Sequence, residues 1–121
     1  GKDLIQGYKR AANILSAEEK KDGVEYSLDP NPSLMRETSE KNLFQKLLEI
    51  EKIIVKDLVR KDLEAALENL ANLRRPIDKF FNSVQINIDN SIIRRNRLCL
   101  LSRIKEVMHK VANFSKIDGE I

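Results

Sequence analysis

Between residues 73 and 116 a leucine-rich helical pattern runs into Pro76, a Phe80–Phe81 pair and then a helix carrying Arg94, Arg95, Arg97 and Arg103 beside an apolar stripe. Proline lacks an amide hydrogen and its ring clashes with the preceding turn, so the helix before it must end or kink. The same residue has the fixed φ that suits the first turn of a new helix. This stretch therefore specifies helix, break, short helix and long helix in succession. A small helical domain that packs with one face and meets something anionic with another is the expectation.

The apolar spacing fills in the rest. Ile93, Leu100, Leu101, Ile104, Val107, Met108 and Val111 recur at helical intervals, predicting a long helix from a cap at Asp89 or Asn90 to Ala112 or Asn113. Pro76 opens a short helix from Ile77 to about Asn82. The alternation Val84, Ile86, Ile88 has the period of a strand, but an isolated strand has nothing to pair with, so Ser83–Asp89 is expected as an extended connector.

Upstream, Leu4, Ile5, Tyr8, Ala11, Ala12 and Leu15 predict a first helix over Asp3–Leu15. The polar, breaker-rich stretch that follows predicts a mobile loop over about 16–36. A second helix capped by Ser33 or Ser39 carries Leu43, Leu47, Ile50 and Ile54, and a third runs from Lys56 or Asp57 to Leu73. The sum is an all-α bundle of four main helices plus one short helix, in a single domain over residues 1–121.

Composition narrows the function classes. At 121 residues, 41% hydrophobic and without tryptophan, the chain builds its core from leucine, isoleucine and valine. No apolar run is long enough to span a membrane. The lone Cys99 excludes an intrachain disulfide and suits a reducing compartment. Residue 1 is glycine, which fits a fragment of a larger chain. Net charge is +3, with Lys and Arg in excess over residues 41–121 and Asp and Glu in excess over residues 1–40. That is a modest footprint for a polyanion.

Arg97 falls inside the arc of Ile93, Leu101, Ile104 and Met108 at about 100° per residue, so its charge must be paired, and Asp78 is the expected partner. His109 lacks an orienting partner and a nucleophile, so it is expected as a surface residue near a helix C-terminus. Cys99 is expected on the outer side of the last helix as an ordinary thiol. The carboxylates Glu18, Glu19, Asp22 and Glu25 lack the ligand order of a calcium loop. Of Phe80 and Phe81, consecutive in a helix, at most one can face solvent as a stacking platform for an unstacked base, and core packing of both is the expectation. The basic candidates for phosphate are Arg94, Arg95 and Arg103 on the last helix, Arg74 and Arg75 before the proline, and Lys9 and Arg10 on the first helix.

Taken together these residues resemble a family. The run Leu73, Pro76, Ile77, Asp78, Phe80, Phe81, Val84, then Asp89, Arg94, Asn96, Arg97, Leu98, Leu100, Leu101, and finally Ala112, Phe114, Ser115 is similar to the C-terminus of the bacterial glycyl-tRNA synthetase beta subunit. Lys9-Arg10-Ala11-Ala12-Asn13-Ile14-Leu15 resembles that family's K-R-[IV]-x-N-I-L. The chain departs from the pattern at Asn82, at Gln85–Ile88 and at Asn113.

The resemblance implies an all-helical DALR-type anticodon-binding domain of the kind shared with arginyl-tRNA synthetase. It implies a cytoplasmic bacterial ligase of alpha and beta subunits, with glycine activation by ATP and magnesium in alpha and tRNA binding in beta. The fragment itself is then non-catalytic, holds no cofactor, and recognises the anticodon arm of glycine tRNA. Its other partners are the remainder of the beta subunit and the alpha subunit. The competing expectation is an assembly domain that docks within the synthetase without touching RNA.

Overall fold

The computed structural model describes residues 2–117, and the fold is all-α, as expected. Five helices follow one another: α1 over Lys2–Asp22, α2 over Thr38–Val59, α3 over Leu63–Leu70, α4 over Arg74–Ser83 and α5 over Ser91–Ile117. Short 3-10 turns at Pro32–Leu34 and Ala71–Leu73 lead into α2 and α4. α1 and α5 run antiparallel, as the pairings of Tyr8 with His109 and of Glu18 with Arg94 require. α2 lies against α3, α4 and α5, and α1 crosses α4 where Gly7 meets Ile77.

One contiguous core joins them. Leu15, Leu43, Leu47, Ile50, Ile54, Leu73, Ile77, Phe80, Leu98, Leu100, Leu101 and Ile104 are its largest fully buried side chains. Burial of each such side chain contributes roughly 1.5–3 kcal/mol, set against the entropy of ordering the chain.

Several boundaries differ from the sequence reading. α1 continues through residues 16–22, which were expected in the loop, because Leu15 and Glu18 extend its buried face along α5. The remaining connection is tied down: Glu19 accepts from the Tyr26 amide at 2.8 Å, and Asn96 of α5 accepts from the Asn31 amide at 2.7 Å. α2 does not stop near Val55 but runs on to Val59, since Ile50, Ile54 and Asp57 continue one buried stripe. The break falls at Arg60–Asp62, where Lys61 takes a left-handed φ of 59° and the Asp62 amide bonds back to the Asp57 carbonyl. Buried Asp57 locks this turn by accepting from Arg60 and from Asn69, each at 2.7 Å. The third long helix is therefore only α3 plus a 3-10 turn, and α4 starts at Arg74 rather than at Ile77, taking Pro76 into its first turn, where a missing amide hydrogen costs no helical bond.

α5 in turn runs past Asn113 to Ile117. Asn90 rather than Asp89 starts it, accepting from the amides of Ile92 and Ile93 at 3.1 Å. The connector before it starts extended at Val84 but bends at Ile86–Asn87, where the Ile88 amide donates back to the Ile86 carbonyl at 3.1 Å; Val84 and Ile86 are buried and Ile88 is half-buried.

Candidate nucleic-acid interface

α5 places its arginines on different sides of the helix, and the structure separates them by what neutralises them. Arg97 points into the core, as its position in the apolar arc requires, but its partner is not Asp78. Its Nη2 donates to Glu40 Oε1 at 3.0 Å, and its Nη1 donates to the Gln85 carbonyl at 2.7 Å. Glu40 sits in the first turn of α2, where Oε1 also accepts the amides of Arg36 and Glu37, so one carboxylate caps a helix and balances a buried charge. Asp78 is exposed, on the wall of α4 that faces α1.

Arg94 and Arg103, both expected to face RNA, are engaged inside the protein. Arg94 donates to Glu18 at 2.6 Å, to Asp22 at 2.8 Å, to the Tyr26 hydroxyl at 3.2 Å and to Asn87 at 3.1 Å. Its side chain is only 16% exposed. Hydrogen bonds from Tyr26 and then from Arg94 pull the Asp22 carboxyl below its ordinary range, and the same Tyr26–Asp22 bond pushes the tyrosine up. Arg103 bonds to Glu51 and Glu106 and approaches Asp29 at 3.7 Å. Glu18, Asp22 and Asp29 thus serve as counterions to α5.

Cys99 is also placed differently from expectation. It is 4% exposed, beneath the connection at Leu28, and burial raises its pKa more than Arg95 lowers it. His109 is exposed near the end of α5, and its Nε2 pairs with the Tyr8 hydroxyl at 2.7 Å, which clips α1 to α5.

Five of the basic candidates remain at the surface: Lys9 and Arg10 on α1, Arg74 and Arg75 on α4, and Arg95 on α5. Two grooves meet along α4. Between α4 and α2, Arg75 and Lys79 face Lys46 and Gln45 across an open groove. Between α4 and α1, Arg10 stands over the Phe81 ring, 4.5 Å from its centroid. Phe80 is fully buried and meets Phe81 edge-on at 5.4 Å; Phe81, expected in the core as well, is only half-buried because it packs on the core and also borders the groove.

Lys79 and the side-chain amides of Asn82 and Gln85 were not singled out from the sequence. Their signal was there: Arg75, Lys79 and Asn82 are spaced four and three apart, which puts them on one ridge of α4. Among the described residues no cluster of three or more His, Cys, Asp or Glu is arranged to hold a metal ion, and no helix is long and apolar enough to cross a membrane.

Comparison with known proteins fits this geometry. Residues 4–118 match the family model of the DALR anticodon binding domain. Over 98% of its length the chain is 46% identical to the glycine–tRNA ligase beta subunit of Ruegeria sp. (strain TM1040) and 47% identical to that of Paracoccus denitrificans (strain Pd 1222). That of Dinoroseobacter shibae (strain DSM 16493 / NCIMB 14021 / DFL 12) is 45% identical over the same share. The chain spans only 17%, 17% and 16% of these relatives. No solved structure matches it. A helical fold, a surface ridge of cations and a family match over nearly the whole length agree, and the chain belongs to the DALR anticodon binding domain family.

Proposed function

We propose that this chain is the tRNA-binding part of a bacterial glycine–tRNA ligase beta subunit and that it recognises the anticodon arm of glycine tRNA. The observation that carries the reading is the match of residues 4–118 to the anticodon binding domain family. The exposed cations Lys9, Arg10, Arg75 and Arg95, with Lys79 in the α2–α4 groove, suit the phosphates of an RNA backbone, and Arg74 extends the same end of α4. Glycine activation with ATP and magnesium belongs, on this reading, to the alpha subunit, and the parent enzyme works in the bacterial cytoplasm. The chain contributes position, holding the anticodon arm while the acceptor end is charged elsewhere.

The test is binding of glycine tRNA to the chain across a salt series. Affinity should fall linearly with salt on logarithmic axes, and Arg75→Gln, Lys79→Gln and Arg95→Gln should each reduce the slope by roughly one phosphate contact. Arg94→Gln and Arg103→Gln should lower stability and leave that slope unchanged. Binding that is absent at low salt would overturn the reading in favour of an assembly domain.

A further inference from the structure

The α1–α4 groove differs chemically from the rest of the basic surface. Arg94, Arg97 and Arg103 are neutralised by carboxylates inside the fold; of the cations left at the surface among the described residues, Arg10 is the one seated on an aromatic ring. Its guanidinium is held instead by the half-buried Phe81 ring, a neutral partner that fixes its position and leaves its charge and outer face available. Two adjoining hollows share Arg10, Phe81 and Asn82, one continuing past Gln85 and the other reaching Gln6 and Asp78.

The lining separates a base from a phosphate. The side-chain amides of Gln6, Asn82 and Gln85 make no hydrogen bond within the described residues, and each offers donors and an acceptor to a base edge. Asp78 is acceptor-only when ionised and would repel a phosphate, but it accepts readily from an exocyclic amino group. A planar cation over an aromatic ring, ringed by amides and one carboxylate, suits a flat neutral ligand with amino hydrogens.

We infer that this groove is a base-reading pocket, in which the Arg10 guanidinium, positioned by Phe81, stacks on an unstacked, amino-bearing nucleobase of single-stranded RNA while Asn82, Gln85 and Asp78 read its edge. The inference rests on the RNA-binding reading and adds which contact is to a base rather than to the backbone. The cations along Arg75 and Lys79 hold the strand electrostatically, and the α1–α4 groove supplies contacts that salt does not screen.

The experiment compares binding of a glycine-tRNA anticodon stem-loop to the chain and to Arg10→Lys, Phe81→Leu and Asn82→Ala, each across a salt series and each checked for an unchanged melting transition. Arg10→Lys keeps the charge and loses the planar fork; Phe81→Leu keeps apolar packing and loses the ring face. Arg10→Lys and Phe81→Leu should each weaken binding about tenfold with the salt slope unchanged, the loss expected of one base stack, and Asn82→Ala should weaken it several-fold at the same slope, the loss expected of one hydrogen bond to the base edge. Wild-type affinity in Arg10→Lys, with loss and a reduced slope only in Arg10→Gln, would make Arg10 a phosphate contact; that would overturn the pocket while leaving tRNA binding intact. A wild-type chain that fails to bind the stem-loop at low salt would overturn both.

Discussion

Arg97 and Glu40 form a buried ion pair, Nη2 to Oε1 at 3.0 Å, that joins the middle of α5 to the first turn of α2. The Glu40 side chain is fully buried and that of Arg97 is 6% exposed, so neither charge has water to fall back on. Removing one partner leaves the other unpaired in the core. Glu40→Ala should therefore destabilise the chain by about 3–5 kcal/mol, seen as a lowered urea midpoint at constant slope. The double variant Glu40→Leu with Arg97→Met should recover most of that loss, since a buried pair replaced by apolar groups of similar size is often neutral. Asp78→Asn should stay within about 0.5 kcal/mol of wild type, as an exposed residue away from the pair.

The Arg94 cluster makes a pH prediction. Asp22 titrates below its ordinary value of 3.8 because Tyr26 and Arg94 both donate to its ionised form. A depressed carboxyl pKa contributes stability that is present above the unfolded value and is lost as pH falls through the folded one. The melting temperature should therefore drop as pH is taken from 6 to about 3. Asp22→Asn should begin lower at neutral pH and lose less over the same range. If the variant and the wild type lose stability in parallel, Asp22 is not a source of the acid sensitivity.

How much of this was legible in the sequence depended on whether a residue's environment is local. The apolar stripe of α5 and the burial of Arg97 follow from helical spacing and agree with the structure, whereas the break assigned to Pro76 lies upstream, at Ala71–Leu73, with Pro76 in the first turn of α4. Glu40 was missed because its distance from Arg97 along the chain carries no local signal, and an acid in a first helical turn already has an ordinary explanation. Asp78 looked better only because it is close in sequence to the proline. Arg94 and Arg103 were misplaced for a related reason. Their helical angle points them away from the apolar stripe, but α1 runs on to Asp22 and carries Glu18 and Asp22 to one, while Glu51 of α2 meets the other. A loop in place of that last stretch of α1 would have left Arg94 at the surface. The Arg10–Phe81 contact could not be read at all, since it needs the crossing of α1 over α4.

Cys99 supplies a test of the same packing. It lies under the connection at Leu28 with 4% exposure, and burial is the main cause of its raised pKa. A thiol that is both covered and mostly protonated reacts slowly. Alkylation at pH 8 should be much slower in the native chain than in the denatured chain, and its rate should rise with denaturant as the connection opens. Native reactivity equal to that of a free thiol would show that residues near Leu28 do not cover α5 in solution.

The crossing of α1 over α4 hinges on Gly7. A Cβ built at this position would stand 2.9 Å from Ile77 Cγ2, closer than real Cβ contacts come. Ile77 is itself 1% exposed, β-branched and locked in the core, so it has little room to yield. Gly7→Ala raises intrinsic helix propensity by about 1 kcal/mol, a gain on an isolated helix. Overpacking a core contact costs typically about 1–3 kcal/mol, which outweighs that gain. The variant should melt several degrees lower than wild type, and pairing it with Ile77→Leu, which keeps the side-chain volume but removes the contacting Cγ2 branch, should restore part of the loss. Arg10 lies one turn further along α1, so the same variant should also weaken RNA binding by displacing Arg10 from the Phe81 ring. A Gly7→Ala chain as stable as wild type and equally tight for the stem-loop would show that α1 slides on α4 without disturbing either the core or the groove.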